Sequence, residues 1–155
     1  DTLWSRLANR GQTRKRHSRN HAVHSKRLTT WGDSMRYVDG FVLPVPKKNL
    51  RTYRQMARKG AAVWRKHGAV EYFECIGDDL GPKGAGIKFP QMVRAKPGET
   101  VVFSFIVFKS RAHRDRVNAR VLKDPLMNDP AYTDKSMPFD MKRMAYGGFR
   151  VLVEG

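Results

Sequence analysis

The stretch Thr100-Val101-Val102-Phe103-Ser104-Phe105-Ile106-Val107-Phe108 is apolar everywhere except at Thr100 and Ser104. Side chains alternate across a strand, so Val101, Phe103, Phe105 and Val107 share one side, and Val102, Ile106 and Phe108 share the other. A strand that is apolar on both sides belongs in the middle of a sheet covered on both faces. The fold is read outward from this strand.

Upstream, Tyr37 to Val45 are strand formers, with Pro44 and Pro46 expected to end the run. Asn49 is a good N-cap. Leu50, Tyr53, Ala57, Ala61 and Trp64 follow at helical spacing with basic residues between them. Gly68 reads as the glycine that closes this helix. Val70 to Ile76 is a second strand, and a loop rich in Asp, Gly and Pro runs from Asp78 to Pro90. Gln91–Ala95 reads as a short extended piece before the turn Lys96-Pro97-Gly98-Glu99. Downstream, Ser110 caps a second helix, Arg111 to about Lys123, which Asp124-Pro125 stops. Arg143 to Val153 reads as the last strand, with Gly147-Gly148 marking a bulge or a close backbone approach. The order is βαββαβ, an α+β fold with a four-stranded antiparallel sheet and both helices on one face. Two helices cover one face only. A second copy packed sheet to sheet is the economical cover for the other, so a homodimer is expected.

Composition sets the outer limits. The chain has 155 residues, 40% hydrophobic and 29% charged, the balance of one water-soluble globular domain. No apolar run approaches the eighteen or so residues of a membrane span, and no membrane partner is expected. The single cysteine, Cys75, excludes an internal disulfide framework and points to a reducing, cytoplasmic compartment. Cys75 lies in an apolar strand pattern and is expected to be a buried small hydrophobe.

Residues 1–34 hold eight basic and two acidic side chains, giving +6 of the total +17. The other 121 residues hold 23 basic and 12 acidic side chains, giving +11. The body is therefore basic in its own right, a charge that draws polyanions or simply maintains solubility. The first 34 residues show no sustained apolar period and are read as a basic extension outside the fold, with the domain spanning 35–155. Met35 is expected to be the natural start. A transit peptide and a nucleic-acid-binding arm are the functional alternatives for the extension. His17, His21 and His24 have helical metal-ligand spacing but no acid or thiolate companion there, so no metal site is assigned. Gly81-Pro82-Lys83-Gly84-Ala85-Gly86 lacks the Gly-Lys-Ser/Thr ending of a phosphate loop and reads as a plain connection.

Several of these segments resemble the YbaA-like family, an uncharacterised group in the dimeric α+β barrel superfamily. They are Tyr37 to Pro46, Gly77-Asp78-Asp79, Glu99 to Phe105, Asp124-Pro125 and Met137 to Phe149. The resemblance implies a ferredoxin-like fold paired into a dimer and carries no activity. Gly81–Gly86 and the N-terminal extension are where the chain departs from the pattern.

Asp140, Arg143 and Tyr146 recur every third residue inside the longest of these segments. They read as a loop-fixing ion pair or as the lining of a ligand cleft. His67 suits a helix C-terminus, and Asp78 and Asp79 suit backbone capping; all three are also carried as candidate ligand residues. Arg111, Arg114, Arg116 and Arg120 on the second helix form the best nucleic-acid surface, without an exposed aromatic reader beside them. The expected function is an uncharacterised dimeric barrel protein, with a small ligand between sheet and helices as the leading role and no cofactor. RNA binding is the rival. A cofactor-free oxygenase-like activity rests on fold analogy alone.

Overall fold

The computed structural model describes residues 35–81, 83–84, 86–128 and 137–155. Strand β1 spans Tyr37–Pro46, helix α1 Leu50–Lys66, β2 Glu71–Ile76, the single turn α2 Phe89–Met92, β3 Glu99–Phe108, α3 Arg111–Val121 and β4 Ala145–Arg150. The sheet order is β2-β3-β1-β4, and every neighbouring pair is antiparallel. This is the expected βαββαβ arrangement, and the doubly apolar β3 indeed lies inside the sheet.

Helices α1 and α3 cover the face carrying Leu43, Val45, Val102, Ile106 and Phe108. Tyr53, Met56, Ala57, Val63 and Trp64 of α1 and Val117 and Val121 of α3 complete this core. Phe108, Val45, Val63 and Val121 are wholly buried there, each worth about 1.5–3 kcal/mol of transfer free energy.

The helix ends follow from local chemistry. Gly68 adopts φ 109°, its N–H donates to the Arg65 carbonyl, and the Ala69 N–H donates to the Trp64 carbonyl. That bond pair closes α1 as a Schellman motif, which needs a residue without Cβ penalty at that φ. Ser110 Oγ accepts from the His113 N–H and starts α3. Asn49 occupies the N-cap position of α1 but does not cap it. Its side chain donates instead to the Pro138 carbonyl at 2.9 Å, tying the helix start to the approach of β4.

Two local expectations are corrected and two are refined. β1 continues through Pro44 to Pro46, because β4 pairs with it only as far as Val42. Beyond that point the strand has a neighbour on one side only, where a residue without an N–H is tolerated. The piece expected to be extended at Gln91–Ala95 begins inside α2, and Arg94 takes φ 51° as that turn ends. The last strand is shorter than expected, since the 3₁₀ turn Met141–Arg143 precedes it and pairing ends at Arg150. Gly147 and Gly148 pair regularly with Gly40 and Asp39, so there is close approach rather than a bulge: a Cβ on Gly148 would collide with the Tyr37 ring.

Cys75 is exposed, against the expectation of burial. β2 is an edge strand, and Cys75 pairs with Phe103 on the face that carries neither α1 nor α3. On this face Phe73 stacks on Phe105 at 4.9 Å, Phe105 meets Phe103 at 5.4 Å, and Phe103 meets Phe89 at 6.4 Å. Phe73, Phe103 and Phe149 remain 45%, 44% and 60% exposed, too much contiguous aromatic surface for a face designed to meet water. The β2–β3 connection folds over one end only, where Val93, Leu80 and Ala95 pack on Val42 and Val101.

Candidate functional site

Alternation along β2 puts Tyr72, Glu74 and Ile76 on the helix side of the sheet, where β3 presents Val102 and Ser104. Helix α1 crosses above them. Its apolar stripe turns Leu50, Tyr53, Ala57 and Ala61 inward, and Arg51, Arg54 and Arg58 run along its flank. Between this helix and the edge strand lies an open cavity of about 760 Å³, lined by these α1 residues with Tyr72, Glu74, Ile76 and Val102. A second, inner void of about 30 Å³ reaches into the core toward Phe41, Phe139 and Met144. Tyr53, Tyr72 and Glu74 line both spaces and so form the wall between them.

Glu74 is the chemical centre of this wall. The Tyr53 hydroxyl donates to its Oε2 at 2.6 Å and the Tyr72 hydroxyl to its Oε1 at 2.8 Å, with Ser104 as a third hydroxyl donor. It makes no ion pair among the described residues. Burial raises the carboxyl above its ordinary value, opposed by the three hydroxyls. Both tyrosines are pushed upward, first by burial and then by the neighbouring carboxylate, so their hydroxyls stay protonated as donors. A carboxylate held by hydroxyls and facing a cavity can accept a further hydrogen bond or exchange a proton with an occupant.

None of the candidate ligand or nucleic-acid residues named from the sequence lines the larger cavity, and they do not converge on one place. Asp140 and Arg143 do meet, Arg143 Nε donating to Asp140 Oδ2 at 2.9 Å. The same guanidinium grips Glu99 with both terminal nitrogens at 2.7 Å and donates to the Arg94 carbonyl at 3.0 Å. Hydrogen bonds from Arg143 bring the Glu99 carboxyl down to about 2 and lower that of Asp140. Tyr146 points elsewhere, packing its ring 4.8 Å from that of Phe41 on the helix-covered face. His67 Nε2 lies 2.8 Å from Asp124 Oδ2, which also accepts from Lys66 Nζ at 2.9 Å. These bonds bring Asp124 down to about 2 and fasten the end of α1 to the segment after α3. Asp78 and Asp79 are exposed and bond to no described residue. His17, His21 and His24 lie outside the described residues.

The signal for Glu74 was present as strand parity. An acid stood at the helix-facing position between Tyr72 and Ile76, where burial of an apolar side chain is the rule. The cavity itself depends on how far α1 stands from the edge strand, which no local pattern encodes.

The nucleic-acid surface loses its second arginine. Arg114 is 3% exposed, because it shares the i, i+3, i+7 stripe of Val117 and Val121 that packs on the sheet. Its NH2 donates to the Tyr37 hydroxyl at 3.2 Å, its guanidinium lies 4.9 Å over the Tyr37 ring, and its Nε stands 3.6 Å from Asp39 Oδ1. Asn118 links Asp39 to the Trp64 indole N–H, completing a buried polar seam between α1, α3 and β1. Arg111, Arg116 and Arg120 remain exposed. Arg111 points away from the other two, since five residues along a helix turn it by well over a quarter turn. Among the described residues no group of three or more His, Cys, Asp or Glu is placed to hold a metal ion, and no helix is long and apolar enough to cross a membrane.

Comparison with known proteins agrees with this architecture. A dimeric ferredoxin-like protein from an uncultured marine organism superposes with a TM-score of 0.53 at 11% identity, covering 78% of this chain and 99% of that one. At that identity the likeness speaks for the fold alone. The uncharacterised protein YbaA of Escherichia coli K12 is 42% identical over 120 residues, 77% of this chain and 99% of its own, and that of Shigella flexneri matches equally. The family described as "Protein of unknown function (DUF1428)" matches residues 36–141, and with nearly all of YbaA aligned besides, the chain belongs to that family.

Proposed function

We propose that this protein is a homodimer that binds a small molecule in the cavity between α1 and the sheet. The observation that carries the reading is Glu74, a carboxylate taken out of water at the wall of a 760 Å³ cavity and held by three hydroxyls instead of a cation. Burying an acid in this way costs stability, and a ligand site is where such a cost is retained. The volume falls in the range of small-molecule sites, and the lining is apolar with a few convergent polar groups.

The dimer is supported by the run of rings Phe73, Phe105, Phe103 and Phe89 on the face opposite the cavity, and by the dimeric description of the similar marine protein. A second copy laid on this face leaves α1 and its cavity outward, so each subunit keeps its own site. Native mass spectrometry of the purified protein tests both parts. The expected species is a dimer carrying a small-molecule adduct, and Glu74→Leu loses the adduct while remaining dimeric. A concentration-independent monomer sinks the dimer; an adduct retained undiminished in Glu74→Leu sinks the pocket.

A further inference from the structure

We infer that the occupant of this cavity is a small organic anion with an apolar body, its acidic group on the arginine flank of α1 and a hydrogen-bond donor at its other end on Glu74. The inference rests on the pocket reading above and names the class of ligand.

Charge in the lining is lopsided. Among the described lining residues Arg51, Arg54 and Arg58 bring three positive charges to the cavity, and Glu74 is the one acid. None of the three arginines is paired with an acid among the described residues. Glu74 offsets one of these charges at most and is ion-paired with none of the three, its oxygens accepting from Tyr53 and Tyr72, with Ser104 a further donor. Three guanidiniums outside any described ion pair, against one carboxylate, leave a net positive potential that the low-dielectric wall focuses into the cavity, and this selects anions. Their planar forks suit a carboxylate better than a point charge would. At positions 51, 54 and 58 they fall at i, i+3 and i+7, one stripe along the helix, so two can reach a single acidic group.

The rest of the described lining is apolar: Leu50, Ala57, Ala61, Ile76 and Val102, with the rings of Tyr53 and Tyr72. A ligand there needs an apolar ring or chain. At the wall, the tyrosine hydroxyls donate toward Glu74, so what they leave to an occupant is carboxylate lone pairs. Those lone pairs accept, and a ligand hydroxyl or amine supplies the matching donor. The class is therefore a hydroxy- or amino-substituted aromatic or medium-chain carboxylic acid.

Ligand-observed NMR on the full chain tests this with matched pairs: benzoate, 4-hydroxybenzoate and 3-(4-hydroxyphenyl)propionate, each beside its primary amide. We expect each carboxylate to bind at least tenfold more tightly than its amide. That advantage shrinks in Arg54→Ala and Arg58→Ala, which alter exposed side chains. We expect 4-hydroxybenzoate to outbind benzoate, a preference that Glu74→Gln abolishes with the fold intact by circular dichroism. If amides bind as well as acids, and Glu74→Gln weakens both, the pocket stands and the anionic class is overturned. If neither acids nor amides bind at millimolar concentration, the pocket reading falls with it.

Discussion

Arg143 and Glu99 form a two-pronged ion pair, each terminal nitrogen 2.7 Å from one carboxylate oxygen, with side chains only 15% and 8% exposed. Arg143 stands before β4 and Glu99 opens β3, so the pair joins two ends of the sheet that share no ladder. Glu99 Oε2 also accepts from the Lys96 N–H, and the Arg94 carbonyl accepts from Arg143. Removing Arg143 would leave a shielded carboxylate without its cation. We expect Arg143→Ala to cost about 2–3 kcal/mol in urea unfolding, and Arg143→Lys to recover less than half, since an ammonium cannot make the fork. A loss under about 0.5 kcal/mol for Arg143→Ala would make the pair ornamental.

Asp39 yields a pH prediction. Burial pushes its carboxyl from 3.8 up to about 6, although Arg114 and Asn118 pull it down. A folded-state pKa above the unfolded one means the fold binds the proton more tightly. The resulting stability is complete below about pH 3.8 and is lost as pH rises through 6. Two units set a ceiling of about 3 kcal/mol on that loss. Glu74 acts in the same direction, while Glu99 and Asp124 act oppositely, losing their stabilisation as pH falls toward 2. The test is the difference between wild type and Asp39→Asn in denaturant titrations from pH 4 to 7. It should change from pH 4 to about 6 and level off above that as the wild-type carboxyl ionises, and a constant difference would contradict the buried, protonatable carboxyl.

Two backbone positions should respond with opposite signs. Gly68 holds φ 109° in the Schellman close, so Gly68→Ala should lower stability by about 1–2 kcal/mol. Arg94 holds φ 51° with an exposed side chain, so Arg94→Gly should raise stability by up to about 1 kcal/mol. Melting temperatures moving in the same direction for both would show that side-chain contacts outweigh backbone strain.

Phe103 stands in the run of rings on the open face, between Phe105 and Phe89. We expect Phe103→Lys to weaken self-association by about 2–3 kcal/mol, seen by light scattering as a shift to monomer at low micromolar concentration. Far-ultraviolet circular dichroism should be unchanged. A variant that stays dimeric would move the interface off this face.

Architecture was legible wherever a pattern extended over several residues. The two apolar sides of β3, the stripe of α1, Gly68 and Ser110 each carry a local physical requirement that one residue type meets. Legibility failed where neighbours in space decide. The turn at Phe89–Met92 is too short to show a period, and Pro44 is allowed inside β1 only because β4 ends before reaching it. Arg114 looked like one arginine of four, although its spacing to Val117 and Val121 already placed it on the packed stripe. Glu74 was legible by parity, but its meaning depends on Tyr53 arriving from another element 21 positions away.

Cys75 lies opposite Phe103 on the open face, and it is the single cysteine of the chain. The proposed dimer thereby carries its own reporter of assembly. Maleimide labelling rates read as a function of protein concentration would trace how much of that face is in contact at any moment, with no engineered tag and no second thiol to confuse the signal.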